Sequence, residues 1–219
     1  MIHRRLRPKR EIENQSKLIE VGDLLPLQTD VEVLSLVTSN DENNDNEDNT
    51  MMISSSPASI EEVINIQQNK KVLLFGMPGA FTPTCTKEHL PGILQNQNVF
   101  YNKLNFGKIT VVTTNDRFVN EEWGKQLGLF SSQLSLVSDA DGDFIKSLGL
   151  MDDMGFGMSA RSKRFAIVLE GGENDDITVK NMFVDEGMDD CTTTSAENII
   201  QVLSPKRDEN LHKKGCDSV

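Results

Sequence analysis

In the stretch PGAFTPTC, residues 78–85, a cysteine stands behind two prolines and two threonines, where a packing thiol would normally occupy an apolar run. The apolar run VLLFG (Val72–Gly76) ends just before it and a helical stretch follows, so Cys85 falls where a strand hands over to a helix. A sulfur placed there meets the unpaired amides of the first helical turn and the positive end of the helix dipole, which favours thiolate over thiol. Thr82, three residues earlier, has a hydroxyl able to hydrogen-bond both the sulfur and an oxygen bound beside it. Pro78 and Pro83 stiffen the loop and shield it from bulk water. Together these residues define a pocket for two adjoining oxygen atoms.

Three other chemistries fit these residues less well. His89 follows Cys85 by four residues and shares its helix face, as a metal-ligand or base-nucleophile pair would. Two ligands do not make a zinc site and no further Cys or His lies near in sequence, so His89 is read as a packing or hydrogen-bonding residue and no metal is expected. Dithiol-disulfide exchange needs Cys-x-x-Cys, and the first of those positions holds Thr82. The GFG of GLMDDMGFGM (149–158) lacks the strand-turn-helix setting of a nucleotide site, so this Gly- and Met-rich stretch is read as a mobile loop or dimer contact and no cofactor is expected.

The elements that must position Cys85 alternate between strand and helix signals from about Ile60 to Leu203. SIEEVI opens with a capping box, Ser59 and Glu62, and predicts a short helix. VLLFG is the first buried strand, and a helix over about Thr84–Leu104 follows, interrupted at Pro91 because proline lacks the amide hydrogen. ITVVTT (Ile109–Thr114) is a second buried strand. RFVNEEWGKQLG predicts an amphipathic helix stopped near Gly128, with Trp123 a core or subunit-contact residue, and LSLVSD a third strand. DFIKSLG adds a short helix, and RFAIVLEGGENDDITVKNMFV two strands around a Gly-rich connection. A last helix over about Ser195–Leu203 has an expected capping box of Thr194 and Glu197. The order β-α-β-α-β-α-β-β-α predicts a thioredoxin-like α/β fold, a mixed central sheet flanked by helices.

Length and charge bound the rest. The 219 residues suit one domain, read as 17–203, between a basic N-terminal tail (1–16) and a C-terminal tail (204–219). SNDENNDNEDNT (39–50) holds five acids, no base and nothing apolar to bury, and predicts a disordered acidic insertion over about 38–56. The excess of 34 acidic over 22 basic residues gives −12, which argues against a nucleic-acid or anionic-membrane partner. No apolar run approaches the ~18 residues that span a bilayer. Three cysteines in so long a chain make no disulfide framework, so a reducing compartment is expected. The cytoplasm is the first reading. MIHRRLRPKR, five bases without an apolar core, keeps a mitochondrial or plastid presequence as the alternative.

At this point PGAFTPTCTKEHLPG resembles the active-site signature of the peroxiredoxins, closest to the type II (peroxiredoxin-5) group. The family's Pro-x-x-x-Thr-x-x-Cys pattern falls on Pro78, Thr82 and Cys85, and similarity extends through VGDLLP, TTNDRFVNEEWGKQLG, ARSKRFAIVLEGG and SAENII. The resemblance implies a thiol-dependent peroxidase without metal, haem or other cofactor. Cys85 would be the nucleophile that attacks hydrogen peroxide or an organic hydroperoxide and becomes a sulfenic acid. It further implies that Arg164, one residue before FAIVL, supports the developing charge, that Thr82 is the polar partner, and that the backbone amides of Gly79 and Cys85 hold the peroxide oxygens. Pro78 would wall the pocket, and Arg161 would be structural or a secondary electrostatic support. A homodimer is implied as well.

How the sulfenate is reset stays open. Cys191, in DDCTTTSAEN, lies near the region where some relatives carry a resolving cysteine, but three positions earlier when counted from the final NII. The plant type II second cysteine aligns with Val111, and Cys216 sits in the polar tail. The alternative is direct reduction by glutathione, glutaredoxin or thioredoxin. Two other functions compete: a thioredoxin-like disulfide oxidoreductase, which Thr82 disfavours, and a non-enzymatic redox sensor, which would have less need of Pro78, Thr82 and Arg164.

Overall fold

A computed structural model of the chain describes residues 17–38, 51–66, 70–155, 157–172 and 176–205. The N-terminal tail, the acidic stretch 39–50 and the C-terminal residues from 206 onward, Cys216 among them, lie outside the described residues. The frame is a seven-stranded sheet in the order β2-β1-β5-β4-β3-β8-β9. Its strands are β1 (Asp30–Thr38), β2 (Met51–Ser59), β3 (Lys71–Met77), β4 (Phe106–Thr113), β5 (Leu134–Ser138), β8 (Phe165–Gly171) and β9 (Ile177–Val184). The central β3, β4 and β5 run parallel, and every other neighbouring pair is antiparallel. A separate two-stranded ribbon joins β6 (Met151–Asp153) to β7 (Ala160–Ser162).

Why VLLFG is a continuous apolar run follows from its place. Leu73, Phe75 and Met77 face one side of the sheet, where Ile93 and Phe100 of α2 (Leu90–Asn102), Trp123 of α3 (Arg117–Gln126) and Ile199 of α5 (Ala196–Leu203) cover them. Val72 and Leu74 face the other, under Val63 and Ile64 of α1 (Ile60–Ile64) and Phe144 and Ile145 of α4 (Asp143–Ser147). A strand covered on both faces can carry no polar alternation. Each fully buried side chain of this kind contributes roughly 1.5–3 kcal/mol. Gly76 leaves room for a neighbour: a Cβ there would lie 2.0 Å from the Phe165 ring. This is the thioredoxin-like α/β fold, with a mixed sheet between two helical layers.

The local signals hold with adjustments. Ser59 and Glu62 form the expected capping box of α1. Asp116 caps α3 by accepting from Phe118 and Val119, and Gly128 beyond its end takes a left-handed φ of 67° that favours glycine. The interruption expected at Pro91 comes earlier, as a π-helical turn over Cys85–His89 in which the Leu90 amide reaches back to Cys85 O, and Pro91 sits in the first turn of α2 where no amide is needed. Thr194 is not the cap of α5. Ser195 is, accepting from the Asn198 amide, while the Thr194 hydroxyl is spent on Asp185.

Three stretches differ from expectation. Thr38 closes β1 and Met51–Ser56 belong to β2, so the segment read as a disordered insertion over 38–56 is strand wherever it is described. β1 and β2 themselves carry no counterpart in the element order read from sequence. GLMDDMGFGM, read as a mobile loop or a dimer contact, is not all loop: it contains β6, paired to β7 through Met151–Ser162 and Asp153–Ala160; Phe156 within it lies outside the described residues.

Candidate active site

Cys85 opens the π-helical turn one short loop beyond β3. Its side chain has no solvent-accessible area and packs in the same core as Phe75 and Trp123. Pro78 and Gly79 are buried too. The loop between them and Cys85 is pinned from two sides: the Ala80 amide donates to Asn115 Oδ1 at 2.8 Å, and the Thr82 hydroxyl donates to Gly79 O at 2.9 Å. Phe81 between these anchors adopts φ 60° and is about half exposed. A left-handed conformation costs a non-glycine residue roughly 1–2 kcal/mol, so the two anchors hold a turn that the chain would not take alone.

Arg164 reaches the sulfur from 79 positions away in sequence, donating from Nη1 to Cys85 Sγ at 3.3 Å. The sheet places it there. β8 pairs antiparallel with β3 in a register that sets Phe165 opposite Gly76, so the residue preceding β8 lies at the C-terminal end of β3, where the loop begins. Arg164 is 1% exposed. It also donates from Nε to Asp190 O at 2.8 Å, from Nη2 to Met188 O at 2.7 Å and from Nη1 to His89 Nδ1 at 3.1 Å. Of these four acceptors only the sulfur can become an anion. The Asp190 carboxylate also lies within the field of the guanidinium, but the sulfur is the one direct acceptor of Arg164 that could carry a negative charge.

His89 bonds at both ring nitrogens, with Nε2 at 3.1 Å from Thr194 O. Burial and then the neighbouring Arg164 charge push its pKa down to about 3, so the ring is neutral across the physiological range. It is the hydrogen-bonding histidine the sequence led us to expect, with Arg164 as a partner that no local signal announced. Cys191 directly follows Asp190. Burial pushes its thiol up to about 11, against the opposing pull of Arg164.

The structure thus brings together Cys85, Arg164, His89 and the Pro78–Thr82 loop. It gives Thr82 a narrower task than expected, since its one hydroxyl hydrogen is committed to Gly79 O and only its oxygen lone pairs are left to offer. Trp123 is fully buried and donates to Thr86 Oγ1 at 3.0 Å, a core position. Arg161 donates from Nε to Met158 O at 3.0 Å. Val111 is buried in β4 opposite Phe75 and Leu136. Two contributors escaped sequence reading. Asn115, in the quoted TTND, holds the loop through Ala80, and the Cβ of any residue replacing Gly79 would lie 2.9 Å from its Oδ1. Asp185 accepts from the Thr193 and Thr194 amides and the Thr194 hydroxyl, fixing the carbonyl that meets His89. Among the described residues no group of three or more His, Cys, Asp or Glu is arranged to hold a metal, and no helix is long and apolar enough to cross a membrane.

A buried cysteine just beyond the C-terminal end of β3, opposed by an arginine, makes this a candidate thiol-redox site. Comparison with known proteins narrows it. The Redoxin family model matches residues 54–200. Peroxiredoxin-2D of Arabidopsis thaliana is 37% identical over 142 residues, covering 64% of this chain and 83% of that protein. Chloroplastic peroxiredoxin-2E of the same plant is 35% identical over 144 residues, 64% of this chain. The chain spans about three-fifths of the length of peroxiredoxin-2E and of its rice counterpart, 58% and 61%. Among solved structures, reduced Prx3 of Vibrio vulnificus in complex with H2O2 superposes with a TM-score of 0.64 at 26% identity, covering 85% of this chain and 96% of that one. The chain belongs to the peroxiredoxin family.

Proposed function

We propose that the protein is a thiol-dependent peroxidase that reduces hydrogen peroxide and organic hydroperoxides through Cys85, serving antioxidant defence. The observation that carries this reading is the 3.3 Å approach of a buried guanidinium, otherwise bonded to neutral acceptors, to a lone sulfur. The Cys85 thiolate attacks the terminal oxygen of ROOH; an S–O bond forms and the O–O bond breaks. Sulfur is oxidised by two electrons to the sulfenic acid, and RO⁻ leaves to take a proton as ROH or water. Arg164 stabilises the charge that develops along the S–O–O axis. Thr82, its hydrogen committed to Gly79 O, accepts the hydroperoxide O–H, and the Gly79 and Cys85 amides with the Pro78 wall complete the pocket.

For the reset we propose an external thiol, glutathione with glutaredoxin, or thioredoxin. A resolving cysteine attacks as thiolate, and burial that keeps Cys191 protonated to about pH 11 leaves it a poor nucleophile. The first thiol displaces water from the sulfenate to give a mixed disulfide, and a second releases Cys85 as the thiol. A homodimer in a reducing compartment is the proposed working state, with the cytoplasm preferred and an organelle kept open by the chloroplastic relatives. Saturable multi-turnover loss of peroxide with a thiol reductant tests the enzyme reading, whereas stoichiometric oxidation of Cys85 that stops after one turnover with every reductant supports a sensor. Mass spectrometry after one equivalent of peroxide is expected to show a sulfenate or glutathione adduct on Cys85. A Cys85–Cys191 bridge there, lost in Cys191→Ser, would show intramolecular resolution instead.

A further inference from the structure

Nη1 of Arg164 carries two hydrogens and has two acceptors, Cys85 Sγ at 3.3 Å and His89 Nδ1 at 3.1 Å. A guanidinium nitrogen can only donate, so His89 Nδ1 must be the unprotonated nitrogen. Thr194 O can only accept, so the hydrogen of the ring must be on Nε2. The surroundings therefore permit a single state of the imidazole, the neutral Nε2–H tautomer. Protonation would aim an N–H at an N–H between two cations 3.1 Å apart.

The rest of the guanidinium is held on its outer edge, where Nε and Nη2 donate to the carbonyls of Asp190 and Met188. On the sulfur side the acceptor that takes the second Nη1 hydrogen is His89, and with that hydrogen placed the planar group leaves the first directed at Sγ. His89 is itself anchored. Its ring stands edge-on to Phe75 at 5.6 Å and 82°, and Thr194, whose carbonyl it meets, is tied to the buried Asp185 through amide and hydroxyl. The ionisable groups around the ring are thus Arg164 and Cys85 on the Nδ1 side, with Asp185 and Cys191 beside Thr194 on the other.

We propose that His89 is a positioning residue: as the neutral Nε2–H tautomer it aims the Arg164 Nη1 hydrogen at the Cys85 sulfur and so at the reacting oxygens. This rests on the peroxidase reading above. The test is a double-mutant cycle of His89→Leu with Arg164→Gln, reading the rate constant for Cys85 oxidation by hydrogen peroxide and, in parallel, its alkylation by iodoacetamide. If His89 acts through Arg164, His89→Leu slows oxidation about 10- to 100-fold in the wild-type background and less than about 3-fold in the Arg164→Gln background. Alkylation, which cleaves no O–O bond, falls much less than oxidation. His89→Asn, whose amide oxygen replaces the Nδ1 acceptor, regains most of the loss. Equal slowing in both backgrounds, or equal slowing of oxidation and alkylation, overturns the proposal. Should the core variants fail to fold, ¹⁵N NMR of the wild-type imidazole decides: the neutral Nε2–H tautomer is expected from pH 5 to 8, and a ring that titrates near pH 6.5 or carries its hydrogen on Nδ1 overturns it. A wild-type protein that consumes no peroxide yet shows this tautomer would sink the peroxidase reading and leave the geometry around His89 standing.

Discussion

Two thiols neighbour the same arginine, and they differ in what the arginine does for them. Cys85 is the more deeply buried, yet an N–H of Arg164 points at its sulfur from 3.3 Å. Cys191 is half-buried and follows Asp190, whose carbonyl occupies Arg164 Nε. It receives the field of the cation without a directed N–H, and burial outweighs that field, pushing the thiol up to about 11. Burial therefore does not separate Cys85 from the cation: Cys85 accepts an aimed N–H, while Cys191 meets the same arginine only as a more distant charge.

The sharpest way to break this contrast is to remove the donor. Arg164→Gln is expected to slow Cys85 oxidation about 10²–10³-fold, the usual cost of losing one transition-state donor. Stopped-flow measurement with hydrogen peroxide reads it, and a loss under about threefold would leave Cys85 no better served than Cys191. Next in size is Thr82. Thr82→Val removes the lone pairs and loosens the loop, and we expect about a tenfold to hundredfold slower oxidation, largely regained in Thr82→Ser; a Val variant that works as well as Ser would remove the hydroxyl from the argument.

The third prediction concerns acid. His89 has a folded pKa of about 3 against an ordinary 6.5, so it is neutral when folded while the unfolded chain takes up a proton below pH 6.5. Its contribution to stability is complete above pH 6.5 and is lost as pH falls toward 3. Between pH 7 and pH 5 the loss is about 2 kcal/mol. Urea unfolding at the two pH values should show this drop in the wild type and a smaller one in His89→Asn, and identical drops in both would count against the assignment. The smallest effect is expected at the other thiol. Cys191→Ser should alter Cys85 oxidation less than about twofold. Alkylation of Cys191 in a Cys85→Ser variant, followed by peptide mass spectrometry, should accelerate about tenfold per pH unit from pH 8 toward 11. A plateau by pH 9 would show an ordinary thiol and blur the difference between the two cysteines.

Much of the frame was legible in the chain itself. β3, β4 and β5 announce themselves because both of their faces are covered: β3 is a continuous apolar run, and the buried parts of β4 and β5 are apolar residues broken only by threonine or serine. The hairpin at the sheet edge was not read. DVEVLSLVT buries Val31 on one face and Leu34 on the other and so shows no clean alternation, and MMISSSPAS, with a run of serines and a proline, carries no strand period and pairs along its whole length with β1. Ribbon β6–β7 is hidden for a similar reason, three residues on each side being too few for a period to show. At the site, Cys85, Thr82 and Pro78 share one loop and are visible as a motif, whereas Asn115 and Asp185 act through backbone atoms of other segments and leave no local pattern.

The residues alone determined that a thiol would sit between a doubly buried strand and a helix, behind a proline-stiffened loop, because burial and turn chemistry are local properties written in periodicity and residue type. Only the folded chain decided how Arg164, 79 positions away and expected here through family resemblance alone, aims at that thiol and that His89 is held neutral beside it. Strand register and side-chain direction settle such meetings, and both arise from the packing of the whole sheet rather than from any stretch of sequence.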